Sequence, residues 1–158
     1  MVSTFFADLK KARAAEHIVL EKLSSLAADY TFTNCADEQA YWHKGDIIAT
    51  DADGAQLFIE VKDDSRIHET GNLLCEFAVE YHNTGKMAKG GMFNQTDIYC
   101  VVSQPQRKIY VFDFPRLQQV YLRGRYKKIP HAEQTTYCYM NKLDRLKNCG
   151  ALVGELDY

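Results

Sequence analysis

Between residues 4 and 28, apolar side chains recur at steps of three or four positions, which is the spacing of one face of an α-helix. One position in this stripe, Glu16, carries a carboxylate instead. Because an unpaired buried charge is costly, Glu16 is predicted either to pair with a Lys or Arg at the edge of the core or to serve a chemical role. The apolar members of the stripe are Phe5, Leu9, Ala12, Val19, Leu23 and Leu26.

A period of two begins further along the chain and predicts a β-hairpin. Its strands are residues 45–50 and 55–62, and the turn between them, Asp51–Gly54, has a glycine for the positive φ that such turns require. In the second strand apolar and polar residues alternate, so that Glu60 and Lys62 fall on the same face.

The register of this hairpin decides whether two carboxylates meet. With a four-residue turn, Thr50 pairs with Ala55 and Asp46 faces Ile59, which leaves Asp46 diagonal to Glu60. A bulge or a shift of one residue would place Asp46 and Glu60 side by side. The sequence leaves both registers open.

Weaker patterns predict the remaining elements. Trp42 is expected to anchor the start of the hairpin, residues 83–96 are expected to form a Gly/Lys-rich loop, and residues 123–128 a basic connector. The other predicted elements are an irregular strand near 30–33, a helix at 71–81, strands at 98–102 and 108–112, a short helix from Pro115 to about 121, a strand at 134–140 and a helical turn at 142–147.

The chain has 158 residues, of which 46% are hydrophobic and 25% charged, which suits one domain with its own core. We predict a single α/β (α+β) domain at 1–158, with a mixed central sheet flanked by helices, a core at about 4–122 and a C-terminal extension at 123–158. No apolar run approaches the ~20 residues of a membrane span, and the first residues lack the order of a signal peptide. A cytoplasmic protein without a membrane partner is therefore expected.

The five cysteines have no CxxC spacing and are odd in number, which favours reduced, buried thiols over a zinc site or disulfides. The net charge of −2 argues against a tight, non-specific nucleic-acid binder, but the charges are unevenly placed. Residues 1–83 contain seven Lys and Arg against fifteen Asp and Glu, whereas residues 84–148 contain twelve against four.

Six cations of the basic segment are candidates for nucleic-acid binding, either through phosphate contacts or as the border of a path for the backbone. The alternative is that they are ordinary solvated surface. The six are Lys86, Lys89, Arg123, Arg125, Lys127 and Lys128.

The hairpin carries the strongest candidate chemistry. Asp46 and Glu60 can supply the hard oxygen ligands that a divalent cation such as Mg²⁺ prefers, and the backbone carbonyl of Val61 can add a third. Lys62 can orient or activate a water, or stabilise charge on a phosphate oxygen. Glu16 could reach the same cluster from the first helix. The alternative is a hairpin with an exposed cross-strand ion pair and no chemistry.

These motifs, taken in order, resemble the PD-(D/E)XK nuclease superfamily, which has a restriction-endonuclease-like fold. Gly45-Asp46-Ile47 is similar to the first acidic motif, although Gly rather than Pro precedes Asp46, and Ile59-Glu60-Val61-Lys62 matches the (D/E)xK motif. Glu16 matches the helical Glu of many members, including resolvase-like ones. The segments at 92–99 and 108–113 resemble small phage and prophage members, and the resemblance covers about residues 10–122.

The resemblance implies metal-dependent hydrolysis of phosphodiester bonds in DNA, with RNA not excluded and with a preference for particular DNA structures left open. It assigns catalysis to Glu16, Asp46, Glu60 and Lys62, with Mg²⁺ or Mn²⁺ as cofactor. A domain this small is expected to cover a duplex as a homodimer. The alternatives are a catalytically inactive nucleic-acid-binding or scaffold protein of the same fold, and a regulatory protein in which the hairpin is only structural.

Overall fold

The computed structural model describes residues 2–158, with side chains from residue 7 onward. Its elements form two β-sheets with helices packed around them. In chain order they are α1 (Val2–Leu26), β1 (Thr31–Asn34), β2 (Ile47–Thr50), β3 (Gln56–Asp63), α2 (Ile67–Thr70), β4 (Asn72–Tyr81), β5 (Lys86–Lys89), β6 (Ile98–Ser103), β7 (Lys108–Asp113), α3 (Phe114–Val120), β8 (Arg125–Pro130), β9 (Gln134–Lys142), α4 (Leu143–Asn148) and β10 (Leu152–Asp157).

The first helix is present as predicted, and the middle of its apolar stripe faces the core. Val19 of the stripe is fully buried against apolar side chains of the central sheet, as is Ala15, which the predicted stripe did not include. The stripe is less buried towards the ends of the helix, where Leu9 is 41% and Leu26 57% exposed. Phe5, which the stripe includes, lies outside the residues whose side chains the structure describes.

The central sheet is mixed and has the strand order β1-β2-β3-β6-β7-β10. Among its described strands only β3 and β6 run parallel, and the other neighbours are antiparallel. The helix α1 covers one face, while Tyr99, Val101 and Phe112 on the other face belong to a core shared with the second sheet. The predicted fold class, α+β with a mixed central sheet flanked by helices, is confirmed.

The second sheet is antiparallel, with the order β5-β4-β9-β8, and it contains a clear departure from the sequence-based prediction. The helix predicted at 71–81 is wrong, because these residues form strand β4. Leu73 and Cys75 are buried at a period of two, and a bulge between Glu76 and Ala78 interrupts the ladder with β9. Pairing with this distant strand overrides the local helical spacing of the apolar residues.

Residues 123–158, predicted to be a C-terminal extension, are built into both sheets. Strands β8 and β9 belong to the second sheet, and β10 forms an edge of the central sheet beside β7. The basic connector predicted at 123–128 is wrong in that most of it is strand β8. The loop predicted at 83–96 likewise includes strand β5.

All five cysteines are free and four of them are buried, as the sequence predicts. Burial raises the pKa of the Cys75 and Cys100 thiols to about 12, so both stay protonated and act as small apolar side chains. No helix among the described residues is both long and apolar enough to cross a membrane.

Candidate active site

The candidate site lies at the edge of β3, at the point where its neighbour β2 stops. The ladder between them reaches Ile47, which lies across from Ile59, so residues 60–63 of β3 have no ladder partner on that side. Their other edge pairs with β6. The resulting gap in the sheet lets side chains from its two faces meet in one place.

The hairpin adopts the shifted register of the two that the sequence allows. Thr50 pairs with Gln56 rather than with Ala55, and the turn is correspondingly longer by one residue. Continued by one step beyond the ladder, this register would pair Asp46 with Glu60, and the two side chains do line one cavity, where the charge of Asp46 raises the pKa of Glu60. The side-by-side arrangement of the two carboxylates is therefore set by the turn.

Asp46 takes the place of the missing strand at the gap. Its N–H donates to the Ile59 carbonyl at 2.8 Å, and its Oδ2 accepts a hydrogen bond from the Val61 N–H at 2.8 Å. The preceding Gly45 has φ of +152°, and a Cβ atom there would lie 2.6 Å from the Ile59 carbonyl oxygen. The chain can approach β3 this closely only because position 45 has no side chain.

Burial raises the pKa of both carboxyl groups at the gap. The pKa of Asp46 rises to about 6 and that of Glu60 to about 7, chiefly because each group is partly removed from water. The charge of Asp46 raises the pKa of Glu60 further. The Lys62 ammonium lowers both pKa values, and the nearby Asn94 amide lowers that of Glu60. Such a pair of carboxyls is a favourable place for a cation.

Glu16 reaches the site from α1 and is 5% exposed. Its Oε2 accepts hydrogen bonds from Arg13 Nη1 at 2.8 Å and from Asn34 Nδ2 at 3.0 Å. The cationic partner that the sequence offered as one explanation of Glu16 is therefore present. The same carboxylate also raises the pKa of Asp46, so it acts on the cluster as well.

A cavity of about 530 Å³ brings together the residues that the sequence assigns to catalysis, namely Glu16, Asp46, Glu60 and Lys62, along with Val61 and Asp63. Within the part of the chain that the structure describes, no three Asp, Glu, His or Cys side chains are close enough to form a ready-made metal site. A divalent ion beside Asp46 and Glu60 would thus need main-chain or water ligands, or a movement of Glu16 away from Arg13.

A second cavity, of about 380 Å³, extends from Glu60 and Lys62 into the space between the sheets. It adds Glu76 of β4 and walls that include Leu73 and Tyr99. Sequence reasoning also missed Arg13, Asn34, Asp63 and Asn94. Of these, Arg13 could have been predicted as the partner of Glu16, because residues three positions apart on a helix lie side by side.

The structure places the six predicted nucleic-acid-binding residues at two separate edges of the second sheet. None of the six lines either cavity at Glu60, and β8 reaches the second cavity with Ile129 instead. The first edge is β5 with Lys86 and Lys89, and the second is β8 with Arg125, Lys127 and Lys128, preceded by Arg123.

No protein-family model matches the chain, and no curated protein matches its sequence. In three dimensions it is similar to a bacterial homing endonuclease, I-Ssp6803I, with a TM-score of 0.51 and 13% sequence identity. The similarity covers 80% of this chain and 74% of that one. At this identity the likeness concerns the fold alone.

Proposed function

We propose that this protein is a metal-dependent nuclease of the PD-(D/E)XK type that hydrolyses phosphodiester bonds in DNA. The observation that carries the proposal is the meeting of Glu16, Asp46, Glu60 and Lys62 at one cavity beside the unpaired edge of β3. The likeness in fold to a homing endonuclease supports it.

Asp46 and Glu60, with the Val61 carbonyl oxygen, would hold Mg²⁺ or Mn²⁺, because hard oxygen ligands suit these ions. When bound, the ion would supply positive charge to a phosphate oxygen and lower the pKa of a bound water. Asp46 keeps its Oδ1 for this role, since Oδ2 already accepts the Val61 N–H. Glu16 would contribute through a water or directly, after release from Arg13 and Asn34.

Lys62 would position the attacking water and stabilise the charge that develops on the phosphate. It lies two residues after Glu60 on an exposed part of β3 and lines both cavities. A cation at this place also keeps Glu60 nearer to its ionised form at neutral pH, because it lowers the pKa of that carboxyl.

DNA would be held by the two basic edges of the second sheet, at β5 and β8, since the acidic cavity itself repels phosphate. A homodimer would place two such sheets on one duplex. The expected partner is DNA, and RNA is the alternative. Comparing the cleavage of DNA and of RNA substrates decides between them.

An inactive nucleic-acid-binding protein of the same fold is the second candidate, and the Arg13–Glu16 ion pair favours it. Metal-dependent cleavage separates the two functions. Plasmid and branched DNA should be cut in Mn²⁺ or Mg²⁺ and remain intact in EDTA. Tight DNA binding without any cleavage, under all these conditions, would establish the inactive protein instead.

A further inference from the structure

A third cavity contains none of the four candidate catalytic residues and includes Lys89 from the basic edge at β5. It is a groove of about 570 Å³ between the segment before Gly45 and the segment that follows β5. The residues used below are His43 and Lys44 from the first segment and Lys89, Phe93 and Asn94 from the second.

The charge of this groove is opposite to that of the acidic cavity. It contains two lysines and one histidine, and among its lining residues, all of which the structure describes, none is Asp or Glu. In a protein with a net charge of −2 this local excess of cations is a place for an anion. The chemistry of a nuclease makes a phosphodiester the fitting anion.

Aromatic rings accompany the cations. The Phe93 side chain is 53% exposed, and the Lys89 Nζ lies 5.6 Å from the centre of its ring. Trp42, adjacent to His43 in the chain, is 59% exposed, so the anchoring role predicted for it is wrong. Exposed rings beside ammonium groups are the elements with which proteins hold unpaired nucleotides, by stacking and phosphate contact.

The groove is held in a fixed shape. The Gln95 N–H donates to the His43 carbonyl at 2.7 Å, and the Thr96 hydroxyl donates to the Lys44 carbonyl, which ties the two segments together. Gly90 packs so closely on β4 that an added Cβ would lie 2.7 Å from the Glu76 carbonyl oxygen. A preformed groove binds a flexible strand at a lower entropic cost.

Asn94 connects the groove to the candidate site. Asn94 lines the groove, and its amide is near enough to Glu60 to lower the pKa of that carboxyl. Gly91 and Met92, which lie between the groove residues Gly90 and Phe93 in the chain, line the cavity that contains Glu60. A strand lying in the groove would therefore run directly up to the carboxylates. We infer that this groove binds an unpaired DNA strand next to the cleaved bond, with phosphates on Lys44 and Lys89 and a base on Phe93.

This inference rests on the proposed nuclease function for the position of the cleaved bond, and it makes the substrate a DNA with unpaired nucleotides. A base paired within a duplex has no free face for Phe93, whereas a single strand or a flap does. The preferred substrate would thus be single-stranded or branched rather than a blunt duplex.

Binding in EDTA tests this without any cleavage. Fluorescence anisotropy would measure the affinity of the full chain and of Phe93→Leu for a single strand, a flapped duplex and a blunt duplex. We expect Phe93→Leu to weaken binding of the single strand and of the flapped duplex about tenfold, because a base stacked on an aromatic ring contributes to affinity. Binding of the blunt duplex should weaken less than about twofold. Tyr81→Leu is the matched control, an aromatic side chain that is 43% exposed and lies outside the groove.

Lys44→Gln, at a groove lysine outside both basic edges, should lower affinity for the same two substrates, and it serves as the second variant if Phe93→Leu fails to fold. Equal effects on all three DNAs, no effect on any, or no binding by the parent chain would overturn the inference. Cleavage by the parent chain is measured separately in Mn²⁺. Selective binding without cleavage would support the strand-binding groove and reject the nuclease function. Cleavage without selective binding would support the nuclease function and reject the strand-binding groove.

Discussion

The Val61 N–H donates a hydrogen bond of 2.8 Å to the Asp46 carboxylate at the point where β3 loses its neighbour. In an uninterrupted sheet a main-chain carbonyl would accept this bond. Here a side chain does so, and the same carboxylate is thereby fixed beside Glu60. The gap in the sheet and the acidic cluster are consequences of one local arrangement.

Replacing Lys62 should abolish cleavage and leave the fold intact. Lys62→Ala removes the cation that would position water and stabilise the phosphate, while an exposed lysine contributes little packing. Plasmid cleavage in Mn²⁺ and a thermal melting curve measure the two effects. Lys147→Ala is the matched control, because this lysine is exposed and forms only a surface ion pair with Glu155. A fully active Lys62→Ala protein would remove Lys62 from the mechanism.

Divalent metal should stabilise the folded chain. If Asp46 and Glu60 hold Mg²⁺ or Mn²⁺, a concentration one hundred times the Kd raises the free energy of unfolding by about 2.7 kcal/mol. The melting temperature measured against metal concentration would report it, and Asp46→Asn should remove most of the shift. Asp157→Asn, at a side chain 87% exposed, should keep it. A parent protein that melts at one temperature with and without metal would favour the inactive alternative.

Without metal, the protein should lose stability as the pH rises towards neutral. The folded-state pKa of Glu60 is raised from 4.5 to about 7, so its protonated form stabilises the fold below about pH 4.5. This contribution is lost as the pH rises through 7. Asp46 makes a similar contribution, because its pKa is raised from 3.8 to about 6, and that contribution is lost as the pH rises through about 6. Glu60→Gln, which cannot ionise, should therefore gain in relative melting temperature between pH 5 and 8 in EDTA.

The control for the pH series is Glu133→Gln, at an exposed position outside the cavities that contain Asp46 and Glu60. If Asp46 and Glu60 hold Mg²⁺, metal should reverse the sign for the parent chain, because the ion would bind the ionised carboxylates and compete with protons. If the melting temperatures of the parent and of Glu60→Gln differ by the same amount at every pH in EDTA, the raised pKa of Glu60 is contradicted.

The basic edge at β8 should contribute to DNA affinity through counterion release. The quadruple replacement of Arg123, Arg125, Lys127 and Lys128 by Gln should lower the salt slope of log K by about 0.9 for each phosphate that the variant no longer neutralises. Metal-dependent stabilisation should remain, because none of the four lines the acidic cavity. A double Lys86→Gln, Lys89→Gln variant tests the opposite edge. Slopes identical to that of the parent would show that β8 is ordinary solvated surface.

The local patterns predicted what local forces control. The helix α1, the hairpin of β2 and β3, and the pair β6–β7 follow from apolar spacing and turn residues within short windows. Glu16 stands out as anomalous in the same spacing, and its partner Arg13 lies only three residues away. In each case the residues that decide the structure are close in sequence.

The failures have the opposite cause. Leu73, Leu74, Phe77 and Tyr81 are spaced as on a helix, yet they lie on β4, because pairing with β9 satisfies its main chain and buries Leu73 and Cys75. Arg125 and Lys127 similarly belong to a strand only because β9 lies beside them. No short window of the sequence contains both members of these pairs.

The sequence by itself determined which side chains were available for chemistry: the carboxylates of Asp46 and Glu60, the amine of Lys62 and the irregular Glu16. Their order along one helix and one hairpin was sufficient to group them. The tertiary structure alone decided that Glu16 of α1 reaches the cavity of Asp46 and Glu60, that Asn94 lies near Glu60, and that the basic residues separate onto two edges. These outcomes depend on contacts between distant segments, whose energies arise only once the sheets have assembled.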